Sequence, residues 1–149
     1  MRVSAKAKYG LAAMICLAQK YNSNGEYITV LSLAERLKIS KIYLEQVFAL
    51  LKRAGLVLSI KGARGGYQLS RAPKDITAFD IVSSIEISLF EKNSDSFLDG
   101  EESIEKTIHA SVLERLDNSI HSSLSEISLE SLALDVQKRS SENGYMFYL

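Results

Sequence analysis

The chain has 149 residues, 46% apolar and 24% charged, with 18 Lys/Arg against 18 Asp/Glu and a formal net charge of zero. That length can bury a real core, no apolar run approaches the roughly 20 residues that cross a bilayer, and one cysteine with two distant histidines excludes an internal disulfide and a thiolate–imidazole metal site. The zero hides a division: residues 1–75 hold 13 Lys/Arg against 4 Asp/Glu, a balance of +9, whereas residues 76–149 hold 5 against 14, a balance of −9. A cationic half joined to an anionic half points to a nucleic-acid partner for one end and a different task for the other.

The N-terminus opens with basic residues followed by apolar ones, as a secretory leader does. Its apolar positions nevertheless have helical spacing and run into polar residues with no small-residue cleavage site, so it reads as a helix and the expected location is the cytoplasm. Ser4 caps this helix, which reaches about residue 21. Leu11, Met14, Ile15 and Ala18 form one face, and Leu17 and Tyr21 widen it. Tyr9 and Gly10 mark close packing. Residues 22–25 break the helix, and residues 27–30 form a short β-type run. A second helix follows over 31–37, with Leu33, Ala34 and Leu37 on one side.

Lys38, Ile39 and Ser40 make a tight turn. Ser40 caps a third helix over 41–54, ended by Gly55. Its apolar positions Leu44, Val47, Phe48 and Leu51 fall at i, i+3, i+4 and i+7, so Ile42, Gln46, Ala49 and Arg53 project the other way, flanked by Tyr43 and Glu45. Two short helices joined by such a turn have helix-turn-helix form, with the third helix as reader. Residues 56–60 and 67–69 then read as strands around a glycine-rich tip carrying Lys61 and Arg64. The expected fold class is mainly α with a small β-wing: a winged helix-turn-helix domain followed by a long dimerisation helix.

In the acidic half, residues 73–77 connect to a short helix capped by Thr77 and reaching about residue 87, with Phe79, Val82 and Ile85 or Ile81 as its apolar face. Residues 90–100 read as a loop. A longer helix begins near Glu101, with acidic residues at its N-terminus where the helix dipole favours them. Its stripe is Ile104, Ile108, Val112, Leu116 and Ile120, with Leu113 alongside. A second copy of the chain is the simplest cover for that stripe, the alternative being packing back onto the same domain. Residues 128–132 begin a last short helix, residues 137–143 are polar, and the chain finishes Tyr145, Met146, Phe147, Tyr148, Leu149. This apolar end with its carboxylate docks either on its own dimer or in a partner's pocket. The expected domains are 1–75 for DNA binding, 76–137 for linkage and dimerisation, and 138–149 as a flexible tail.

Phosphate contacts are expected from Arg2, Lys6, Lys8, Lys38, Lys41, Lys52 and Arg53. Gln46 suits an adenine edge, Glu45 cytosine N4 and Ile42 a thymine methyl, while Ser40 and Tyr43 offer hydroxyls. Lys61 and Arg64 suit a narrow minor groove. Against these stand simpler roles: Glu45 orienting Arg53 or a nearby lysine, Tyr43 half-buried against the wing, Tyr67 packed beneath it. The sequence contains no nucleophile–base pair, metal cluster or phosphate loop, so an enzyme is not expected. Cys16 reads as a buried small hydrophobe rather than a sensor.

Residues 4–17 (SAKAKYGLAAMICL), 43–46 (YLEQ), 54–57 (AGLV), 61–67 (KGARGGY) and 76–81 (ITAFDI) resemble the bacterial winged-helix regulator family of IscR, NsrR and CymR. The stretch 128–133 (SLESLA) and the end 145–149 resemble its cysteine-metabolism branch. The resemblance implies a homodimer on a partly palindromic operator, with reader helices in successive major grooves and wings near the minor grooves. It further implies repression of sulfur-uptake and cysteine-synthesis genes together with O-acetylserine thiol-lyase, an enzyme whose active site takes C-terminal carboxylate peptides. Residues 145–149 would dock there, with the Leu149 carboxylate as anchor. Cluster-binding members carry three close cysteines in the segment that here spans 89–105. This segment has none, so no cofactor is expected. The alternative within the family is a regulator sensing redox state or another small ligand.

Overall fold

The start of the first helix follows from a single hydroxyl. In the computed structural model, which describes residues 3–22, 25–90 and 98–147, Ser4 Oγ accepts a hydrogen bond from the Ala7 amide (3.1 Å) and begins α1, Ala5–Gln19. Its buried side is Ala7, Gly10, Ala13, Met14, Cys16 and Leu17. The expected face through Leu11 and Ile15 is only half-buried, and Tyr21 is exposed, because α1 is covered chiefly by later elements that touch its Gly10–Leu17 side.

Residues 27–30 do not make a strand. Thr29 accepts from the Ser32 amide (3.1 Å) and caps α2, Val30–Leu37, which draws Val30 into the helix. Only Ile28 keeps sheet pairing, exchanging 2.8 Å backbone hydrogen bonds with Tyr67. Lys38 ends α2 in the left-handed conformation (φ 56°, ψ 46°), and Ser40 accepts from the Tyr43 amide (3.4 Å) to start α3, Lys41–Arg53. Two strands follow, β1 (Val57–Ile60) and β2 (Gly66–Leu69), paired antiparallel with Val57 opposite Leu69 and Ile60 opposite Gly66. Gly66 has φ 141° and lies against the Ile28 carbonyl, where a Cβ would collide with backbone. This close approach seats the hairpin on the body.

After a 3₁₀ turn at Pro73–Asp75, Thr77 and Asp80 form a reciprocal capping box for α4, Ala78–Ile85. Its buried residues are Ala78, Ile81 and Val82, and a further helical turn, α5, spans Ile87–Phe90. The long helix is continuous but irregular: α6 (Glu102–Ile108), a π turn (His109–Leu113), then α7 (Glu114–Ser125). Phe79 of α4 meets Phe90 (ring centroids 5.0 Å) and His121 of α7 (4.1 Å).

The last helix departs from expectation. Instead of a short helix and a flexible spacer, α8 runs Leu129–Phe147, taking in residues 137–143. Gln137, Lys138, Arg139 and Glu142 are polar but good helix formers, and Arg139 bonds Asp135 one turn back (3.3 Å). The core also crosses residue 75. Met14, Leu17, Leu33, Leu44, Val47, Phe48, Leu51, Val57 and Leu69 share one cluster with Ile76, Ile81 and Leu129. Phe48 stacks on Tyr67 at 4.3 Å, as expected for a ring beneath the wing, a contact worth about 0.5–1.5 kcal/mol beyond its buried area.

Candidate nucleic-acid interface

The two sides of α3 have opposite fates. Leu44, Val47, Phe48 and Leu51 are fully buried, which fixes the helix in the body. Lys41, Ile42, Glu45, Gln46, Ala49, Lys52 and Arg53 are exposed, and Ile42 is 70% exposed. Ile42, at the N-terminal end of the helix, therefore takes no part in the core.

Exposed cations stand on α1, on the turn before α3, on α3 itself and on the hairpin. Lys8, Lys38, Lys52, Arg53, Lys61 and Arg64 are exposed, and among the described residues none of them makes an ion pair. Lys41 does pair, with Glu45 at 3.8 Å, so the orienting partner of Glu45 is Lys41 and not Arg53. Both members are more than half exposed, and such a pair is easily exchanged for another contact. The wing tip turns at residues 62–64, where the Gly65 amide donates to the Gly62 carbonyl (3.0 Å), holding Lys61 and Arg64 outward.

Tyr43 is half-buried, though against α1 rather than against the wing. Its ring receives the Tyr9 ring edge-on at 5.3 Å, and Lys6 Nζ lies 5.7 Å from its centroid. The pairing ties the first turn of α3 to the start of α1. Sequence reasoning gave Tyr9 only a packing role, since no local signal near Tyr43 points to it. Arg2, Tyr148 and Leu149 lie outside the described residues, as do the side chains of Tyr145, Met146 and Phe147.

On the long helix, Ile104 (50%), Val112 (57%) and Leu116 (51%) are exposed, as is Leu113, while Ile108 and Ile120 are half-buried. Cys16 is 3% exposed, and burial pushes its thiol pKa up against a smaller opposing pull from Arg36. It therefore stays protonated at neutral pH, the opposite of what a reactive sensor thiol needs.

A helix fixed by its inner side, with an exposed outer edge beside a basic hairpin, defines a winged-helix DNA-binding protein. Residues 3–135 match the Rrf2 family, described as iron-dependent transcriptional regulators, and the chain belongs to that family of transcriptional regulators. It is 38% identical to the transcriptional regulator CymR of Bacillus subtilis, over the full length of both chains. Among solved structures it is similar to CymR, described as the global cysteine regulator of B. subtilis (TM-score 0.70, 34% identity, 89% of this chain and 96% of that one). It is likewise similar to IscR of T. potens (TM-score 0.73, 37% identity, 99% and 97%). These relatives are regulators and not enzymes, as the sequence led us to expect. No helix among the described residues is long and apolar enough to cross a membrane.

The residues present do not fit an iron–sulfur cluster. Such clusters take thiolate ligands, whereas residues 89–105 offer only carboxylates as strong ligands and the one cysteine is shut inside α1. Among the described residues no group of three or more His, Cys, Asp or Glu is placed to hold a metal ion.

Proposed function

We propose that this chain is a cytoplasmic, homodimeric repressor of cysteine and sulfur-metabolism genes that reads a partly palindromic operator. The observation that carries the DNA-reading role is the outer edge of α3, exposed along its length while the inner edge is fully buried. Gln46 is the base-reading residue, pairing with an adenine edge; Ile42 meets a thymine methyl; Glu45 leaves Lys41 to accept from cytosine N4. Ser40, Tyr43, Lys6, Lys8, Lys38, Lys41, Lys52 and Arg53 serve phosphates, and Lys61 and Arg64 enter the minor groove. The half-exposed stripe Ile104, Val112 and Leu116, with Ile108 and Ile120, supports pairing of two copies, because a solvated apolar row on a projecting helix is otherwise a liability.

The cysteine-metabolism assignment is supported by full-length similarity to CymR. The resemblance in residues 145–149 adds O-acetylserine thiol-lyase as partner, with the apolar end carried beyond the exposed stretch 137–143 of α8. The test pairs two substitutions on operator duplexes. Gln46→Ala costs about 1–3 kcal/mol at its own base pair and relaxes preference there. Lys52→Ala weakens all duplexes alike and flattens the salt slope by about 0.9. If both changes shift every duplex equally, α3 is not the reader. Removing residues 145–149 should leave DNA affinity intact and abolish capture of the thiol-lyase.

A further inference from the structure

The reading unit reaches the long helix by two routes: α1 packs on α4 at Gly10 and Ile85 while Phe79 of α4 meets His121 of α7, and a hydrogen-bonded link runs from the base of the wing. Just past β2, the Ser70 amide donates to the Leu56 carbonyl (3.0 Å) and its hydroxyl to the Gly55 carbonyl (2.6 Å), so the base of the wing is tied to the residue that ends α3. The next residue, Arg71, donates from Nε to the Asp75 carbonyl (2.9 Å) and from a terminal nitrogen to Asp80 Oδ2 (3.3 Å). That same carboxylate oxygen accepts from the Thr77 amide (2.9 Å), and the Asp80 amide donates to Thr77 Oγ1 (3.1 Å). On the other side of Thr77, the Ala78 amide donates to the Ile127 carbonyl and the Leu129 amide to the Ile76 carbonyl, both at 2.8 Å. Ile76 and Leu129 are fully buried beneath this two-rung bridge. The bridge is where α7 ends and α8 begins.

A single carboxylate, Asp80, thus connects the end of the wing with the root of the long helix. We infer that Arg71 and Asp80 form a positioning latch, fixing the angle between the reading unit and the long helix and thereby the distance between the two reader helices of a dimer. An ion pair this exposed adds little to stability by itself. Its effect is geometric, since it ties Arg71, just past the wing, to the cap of α4. Arg71 acts through Asp80 and not on DNA, which sets it apart from the phosphate-contacting cations of the same half. The inference rests on the homodimer reading proposed above.

Two substitutions of opposite charge test it. Arg71→Met keeps the aliphatic stem and loses the guanidinium. Asp80→Asn keeps an oxygen for the Thr77 amide and loses the charge that holds Arg71. An operator is selected from a random duplex library with the unaltered protein, then lengthened or shortened by one base pair between its half-sites. Affinity for each duplex is measured for all three proteins, with melting temperature and sedimentation mass alongside. The unaltered protein prefers its own spacing, and in both variants that preference falls by about fivefold, the lower end of typical coupling between sites, with mass and salt slope unchanged. A phosphate contact from Arg71 gives a different pattern: Arg71→Met weakens every spacing and flattens the salt slope, while Asp80→Asn strengthens every spacing. That pattern, or unchanged spacing preference in a dimer, overturns the latch alone. A monomer that selects one unpaired half-site overturns the homodimer reading and the latch with it.

Discussion

Leu116→Lys separates pairing of two copies from packing within one. Complete burial of a leucine side chain is worth about 1.5–3 kcal/mol. Leu116 is 51% exposed, so roughly half of that, about 0.8–1.5 kcal/mol, remains to be gained on pairing. A symmetric contact counts the residue twice, giving about 1.5–3 kcal/mol and a dimer dissociation constant raised about 10–150-fold, before any cost of covering an ammonium group. The folded protomer, in contrast, loses almost nothing, since a substitution at a half-solvated helix position stays within about 0.5 kcal/mol. Sedimentation equilibrium over a micromolar range, with thermal melting of dilute protein, measures both quantities. A variant that still sediments as a dimer with unaltered affinity would refute the assignment of this stripe. A variant that melts markedly lower at a dilution where only protomers exist would show that the stripe packs against its own chain.

Gly66→Ala forces a side chain into the Ile28 carbonyl at a backbone angle that suits glycine. It should lower stability by at least about 1–3 kcal/mol in denaturant titration and weaken operator binding, as the hairpin leaves its seat. Lys38→Gly relieves a left-handed lysine costing about 1–2 kcal/mol while adding chain entropy of about 0.5–1, for a net gain near 0.5–1 kcal/mol. If Lys38 also meets a phosphate, the same variant flattens the salt slope by about 0.9, a readout independent of folding. Cys16 gives a pH signature. Its thiol pKa is raised in the fold, so ionisation on unfolding costs the native state its advantage once pH passes the ordinary thiol range near 8.5. Between about pH 8 and 10 the melting temperature should therefore fall more for the unaltered protein than for Cys16→Ala; parallel curves would contradict the burial argument.

What the sequence made legible was local. Ser4, Ser40 and Thr77 cap the helices assigned to them, because a cap is decided within three residues. The period of Leu44, Val47, Phe48 and Leu51 likewise identified the buried side of α3, and with it the exposed edge. Partners distant in the chain were not legible. Nothing near Tyr43 announces Tyr9, more than thirty residues earlier, and Ile28 pairs with Tyr67 only because Gly66 lets two backbones meet. The misreading of 137–143 had another source: polarity was equated with loop, although Gln, Lys, Arg and Glu favour helix and Asp135 stood one turn before Arg139.

The π turn at His109–Leu113 changes the geometry of the row that precedes and follows it. Apolar residues recurring every fourth position wander around a regular helix by about 40° per step, so Ile104 and Ile120 would end about 160° apart on the cylinder. One wide turn winds the helix back by about 90–100°, leaving them roughly 60° apart. A spiral that no flat neighbour could cover becomes a nearly straight seam. Regularising those five residues would therefore twist half of the seam out of reach without altering any of its side chains.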